Sequence, residues 1–241
     1  MYINPRADGS PAPGREIDLN RRPAPAARRW FLVVALAMVA AGPFFTRLHS
    51  GDRDSAGRPP VTADLFAYNQ DGKSIRMSDL AGKVWVAAGF YAECPRCAAR
   101  NARELQTLAR KFAREPGFHM VCISVAPAED HVHKLAGYAK ALGADSSKWW
   151  FVSGDPASIH RYLEDGLKHA PVREAMNPAE KAAFGKYVHD MGITVVDRNM
   201  RIVGKRDITW AAAQGEALAK QWEQHLHGII RSELAKPPPR S

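Results

Sequence analysis

Two cysteines three positions apart, in Cys94-Pro95-Arg96-Cys97, are the residues of this 241-residue chain best suited to chemistry. An apolar run ends at Phe90 and a helical pattern opens at Cys97. Unpaired N–H groups and the helix dipole favour thiolate at such a junction, and Arg96 adds positive charge. Thiolate is at once a redox nucleophile and a soft-metal ligand. The pair therefore supports thiol–disulfide exchange, with Cys94 attacking and Cys97 resolving, or binding of a soft ion such as Cu(I), with Zn(II) as a competitor. An inert structural disulfide is the third option, and a four-residue loop tethers little that the helix does not already hold. The remaining cysteine, Cys122, lies between Val121 and Ile123 in an apolar run and reads as a small core residue.

The elements that position the pair follow from periodicity. Val61–Tyr68 and Ser74–Met77 flank the turn signal Asn69-Gln70-Asp71-Gly72 and predict an N-terminal hairpin. Val84–Phe90 and His119–Val125 are continuous apolar runs, as expected of strands buried on both faces. Cys97–Phe112 and Asp130–Leu142 have helical spacing, with Asp130 in the cap position and Gly143 as a stop. Trp149–Val152 is a short strand and Pro156–Leu167 a helix. Residues 168–186 read as a long polar loop with one helical turn. Gly192–Asp197 and Arg201–Arg206 form a hairpin. Trp210–Leu234 closes the fold as one amphipathic helix with Leu218, Trp222, Leu226 and Ile229 along its stripe. The order predicts an α/β domain over 61–235, a mixed sheet with flanking helices. A Cys-X-X-Cys pair between the first long strand and its helix is the thioredoxin-like placement.

What precedes the domain reads differently. Residues 1–29 hold five prolines and six arginines and predict a disordered cytoplasmic tail. No charge occurs over residues 30–46, and as a helix these would span about 25 Å, the short end for a bilayer crossing. The basic flank predicts export of everything beyond, either on an uncleaved inner-membrane anchor or after cleavage near Ala41. Arg28-Arg29-Trp30-Phe31-Leu32 also resembles a twin-arginine signal. Residues 47–60 are a linker and 236–241 a Pro-rich tail. Beyond the export segment the domain would be periplasmic, where disulfides persist. The chain carries 34 basic and 25 acidic residues, without a dense basic block, which argues against nucleic-acid binding.

Several segments together resemble the Sco/SenC copper chaperones. They are Leu80-Ala81-Gly82-Lys83-Val84-Trp85-Val86 leading to Phe90 and the cysteines, Ser124-Val125-Ala126-Pro127-Ala128-Glu129-Asp130, Trp149-Trp150-Phe151-Val152-Ser153-Gly154, and His189 with Asp197-Arg198 eight residues on. The resemblance covers about residues 62–234. It implies a thioredoxin-like fold on an N-terminal anchor and a metal site formed by Cys94, Cys97 and His189. It further implies Cu(I), or Cu(II) after oxidation, as the ion, with a copper-accepting oxidase subunit or other copper carrier and a thiol-reducing protein as partners. The chain departs from the family in having two rather than three residues between the cysteines, Ala98 where Pro is usual, Ala126 where Asp is usual, and Asp190 after the histidine where Ser is usual.

Two other readings stay open. A thiol–disulfide oxidoreductase of the TlpA/ResA type would use the Cys-X-X-Cys, although Glu93 and Met191 stand where that group has Trp and Pro. A non-catalytic thioredoxin-like interaction module would do neither chemistry. His131, His133, His225 and His227 lie in pairs at i,i+2 and read as solvated. Arg100, Arg103, Arg110, Lys111 and Arg114 read as a solvated basic helix face able to guide an acidic partner.

Overall fold

The computed structural model describes residues 57–94 and 101–238. Elements β1 (Phe66–Tyr68) and β2 (Ser74–Arg76) form the expected antiparallel hairpin. Its turn is built by Asn69, whose Oδ1 accepts from the backbone amides of Asp71 and Lys73 at 3.0 Å each. Gly72 supplies the left-handed residue, φ 73°. A 3-10 turn, Met77–Leu80, leads into the central strand β3 (Val84–Phe90).

Next come α1 (Ala102–Lys111), β4 (Phe118–Ser124), α2 (Val132–Leu142), β5 (Trp149–Val152) and α3 (Pro156–Arg161), which widens into a π-turn at Tyr162–Gly166. The main sheet is completed by β8 (Ile193–Val196) and β9 (Ile202–Arg206), in the order β5-β4-β3-β8-β9. Strands β3, β4 and β5 are parallel, and β8 and β9 run antiparallel to their neighbours. All seven residues of β3 and all seven of β4 are buried, as the unbroken apolar runs predict. This is the α/β mixed sheet expected. The predicted span at residues 30–46 lies outside the described residues, and among the described residues no helix is long and apolar enough to cross a membrane.

Three local expectations need correction. Residues 168–186 are more ordered than a polar loop: a two-stranded ribbon of β6 (Arg173–Glu174) and β7 (Tyr187–Val188) frames the short helix α4 (Pro178–Phe184). Its pairing is too brief to leave a period-2 pattern. The final helix is two, α5 (Ile208–Gln214) and α6 (Glu216–Leu234), broken at Gly215, whose φ of 141° only glycine adopts readily. The buried stripe of α6 is also turned by one residue: Ala219, Leu226, His227 and Ile230 face inward. His227 is thus buried rather than solvated, whereas His131, His133 and His225 are exposed. Arg103, Arg110, Lys111 and Arg114 form the exposed basic face expected, and Arg100 lies outside the described residues.

The pole where β3 starts is fastened to the beginning of the described chain. Arg58 pairs with Asp197 (3.1 Å) at the end of β8 and with Glu233 (3.0 Å) near the end of α6. Arg198 donates to the carbonyls of Glu233, Leu234 and Lys236, satisfying the last turn of α6. Pro60 bridges Arg201 at the same pole.

Burial holds three histidines neutral, His119, His227 and, nearer the site, His169. Burial, with Lys83 and Lys148 nearby, pushes His119 down to about 3, and neither of its ring nitrogens has a hydrogen-bond partner. Burial, with Lys111 and Arg231, pushes His227 down to about 4. An unfolded histidine binds its proton near pH 6.5. The folded state therefore keeps its full advantage above pH 6.5 and loses it as pH falls from there towards 4, by up to about 1.4 kcal/mol per pH unit per histidine. Chemical denaturation at pH 7.5, 6.0 and 5.0 should show stability falling at each step. His119→Phe should flatten that slope, and an unchanged slope would mean that His119 is not held neutral in the fold.

Candidate metal and thiol site

The site end of the sheet is where β3 and β4 finish and β8 begins. Beyond Phe90 the chain turns at once, with Cys94 N donating to Tyr91 O (3.1 Å). Cys94 is 1% exposed. Cys97 lies outside the described residues. His189, four residues before β8, is 7% exposed and lies beside the same end of β3. A Cβ on Gly89 would stand 3.4 Å from His189 Nδ1 and 3.4 Å from Asp190 O, so the missing side chain of Gly89 makes room for the imidazole. The edge of the Tyr91 ring faces His189, with centroids 6.0 Å apart. Antiparallel pairing of β3 with β8 thus brings the predicted histidine to the strand end that carries Cys94.

His189 is oriented by its neighbour. Nδ1 is 2.9 Å from Asp190 O, and a carbonyl can only accept, so Nδ1 donates in this contact. Metal-bound histidines commonly donate their second nitrogen to a backbone carbonyl in this way. Two thiolates and an imidazole Nε2 are donors that suit Cu(I). Among the described residues, which do not include Cys97, no group of three or more His, Cys, Asp or Glu side chains is gathered to hold a metal.

The segment next to His189 is held by a cluster that sequence reasoning did not find. Asp190 accepts from Gly192 N (2.8 Å) and Ala170 N (3.2 Å) and pairs with Lys205 on β9. Burial opposes ionisation of Asp190, but the Lys205 hydrogen bond and nearby charges outweigh it, so its pKa sits below the ordinary carboxylate value. His169 Nε2 is 2.8 Å from Thr194 Oγ1, and burial pushes this histidine down to about 4. A second tie crosses the ribbon. Tyr91 OH donates to Phe184 O, and Glu129 accepts from Lys186 (2.5 Å) and Tyr187 OH (2.9 Å). Only the departure at Asp190 hinted at the first cluster. Cys122 is core as read: burial pushes its thiol up to about 12, and Trp149 Nε1 donates to its sulfur at 3.2 Å.

Comparison with known proteins agrees with this fold. A family model described as SCO1/SenC matches residues 53–224. The SCO1 protein homolog of Bacillus subtilis (strain 168) is 26% identical over 87 residues, 36% of this chain and 45% of that protein. The match therefore spans less than half of that relative's length. Among solved structures the fold resembles BsSco, a member of the Sco family of cytochrome c oxidase assembly proteins in which a disulfide switch has been identified. That TM-score is 0.57, at 17% identity, covering 75% of this chain and 96% of that one. It also resembles ScoI of Bradyrhizobium japonicum with copper bound (TM-score 0.54, 19% identity, 71% and 98% covered) and yeast Sco1 with copper bound (0.53, 14%, 72% and 90%). At these identities the likeness is one of fold.

Gly192 has less latitude than Gly89. A Cβ there would come within 2.8 Å of the Lys205 stem and 2.9 Å of Asp190 Oδ1. Gly192→Ala should displace the Asp190–Lys205 pair and destabilise the domain by about 1–3 kcal/mol, read as a lower urea midpoint. A midpoint equal to wild type would show that Lys205 moves aside freely.

Proposed function

The chain belongs to the SCO1/SenC family, and from that premise we propose that it is an exported copper chaperone of oxidase assembly. In this reading it takes Cu(I) on Cys94, Cys97 and His189 and passes it to a copper-accepting oxidase subunit or another copper carrier. Copper is cargo here, so the site must release it as well as bind it. The observation that carries the reading is the placement of His189 beside the end of β3 that leads to Cys94, its Nδ1 donating to Asp190 O as metal-bound histidines commonly do. Proteins of the same fold that hold copper, from B. japonicum and yeast, support it.

The chain's own groups account for uptake and release. Both cysteines must be reduced and deprotonated to bind. Oxidation to a Cys94–Cys97 disulfide removes both donors at once and expels the ion. The two-residue spacing brings the sulfurs within easy reach of each other. A second, redox use of the same pair is therefore part of the proposal, with a thiol-reducing partner to reset it. Tethering through residues 30–46, with the domain on the periplasmic side, belongs to the proposal as well.

The test is copper stoichiometry of the reduced chain, purified without oxygen and loaded with Cu(I) against a competing chelator. Wild type should retain one copper per chain. His189→Ala should weaken retention by at least about tenfold, and Cys94→Ser or Cys97→Ser should abolish it. Full retention by His189→Ala would remove the histidine from the site. No retention by reduced wild type would sink the copper reading, and a disulfide-reduction assay would then separate an oxidoreductase from an inert interaction module.

A further inference from the structure

Asp130 stands where a helix cap is expected, yet it does not cap. The residue flanking α2 is His131, which makes no side-chain cap bond. The Asp130 carboxylate is turned inward and is 1% exposed. Its Oδ2 accepts from Ser124 Oγ (2.7 Å), at the end of β4, and from Ala92 N (3.1 Å). Lys134 stands 3.5 Å from Oδ1 and, on its other side, 2.9 Å from Glu93 Oε1. Ser124 Oγ in turn accepts from Ala126 N at 3.1 Å. A buried carboxylate is tolerated only with such partners, and charge-assisted bonds of this kind are the strong ones.

All the loop-side contacts fall on the two residues before Cys94. β3 ends at Phe90, so Ala92 N has no strand partner, and Asp130 is the acceptor that satisfies it. Lys134 then holds Glu93 to the same post. We propose that Asp130 is a positioning residue for Cys94: through Ala92 and Ser124 it fixes the loop that presents the thiol, and so sets the redox equilibrium of the Cys94–Cys97 pair. The proposal does not rest on the metal reading, since a chain that bound no copper would still show it.

The reaction that reads this out is exchange of the protein dithiol with one oxidised glutathione, giving the Cys94–Cys97 disulfide and two reduced glutathiones. Cys122, its thiol held near pKa 12, does not contribute. The exchange constant and the melting temperature are measured on the full chain for wild type, Asp130→Ala, Asp130→Asn and Ser124→Ala. Asp130→Ala should move the constant by about tenfold or more and Ser124→Ala by about threefold. Asp130→Asn, which keeps an acceptor for Ala92 N, should lie nearer wild type. Melting temperatures that fall while every constant stays within about twofold of wild type would overturn the proposal and leave Asp130 a purely structural residue. If Asp130→Ala fails to fold, Ser124→Ala and Asp130→Asn decide it by the same criterion.

Discussion

The site depends on how β3 is paired. The strand is flanked by β4 running parallel and β8 running antiparallel. Parallel pairing puts the end of β4 and the loop carrying Asp130 next to the cysteine loop. Antiparallel pairing delivers the start of β8, and His189 ahead of it, to that same pole. A one-residue slip of β8 would turn its own side chains to the other face of the sheet and shift the segment that carries His189. Register is held by the buried faces of both strands, and Gly89 near the end of β3 leaves room for the imidazole of His189.

Around this pole the polar groups form posts rather than a second pocket. Asp130 holds the cysteine loop, Asp190 holds the turn before β8, and Tyr91 with Glu129 holds the ribbon of β6 and β7. Each is a carboxylate or phenol with several backbone or lysine partners. Such groups stabilise little in net terms when satisfied, but losing one partner leaves the other exposed to the full cost of desolvation. Their contribution is therefore specificity of position more than depth of fold.

Much of this was legible in residue order. The apolar runs located β3, β4 and β5, and the turn residues located both hairpins. The cysteine pair and His189 are proposed from spacing and family likeness, and the described members of that set, Cys94 and His189, sit at one sheet end. What escaped the sequence shares one cause: side-chain direction. Asp130 looks like any carboxylate ahead of a helix until Ser124 and Ala92 are seen to face it. His227 and His225 differ by two positions, and only the rotation of α6 set by Gly215 decides which one is buried. The ribbon at 173–188 is too short for a pattern and is held by Tyr91 and Glu129, far away in sequence. Asp190 is held by Lys205 on β9 and His169 by Thr194 on β8, pairings that no local window reveals.

The fastening of Arg58 to Asp197 and Glu233 has a mechanical consequence. It pins the chain where β3 begins, whereas Cys94 and His189 lie where β3 ends, about 20 Å away along seven residues of strand. Anything attached ahead of Arg58 therefore pulls on the far pole. A leash fixed there transmits its load into the β8–β9 turn and the end of α6, not into the loop that holds the thiols.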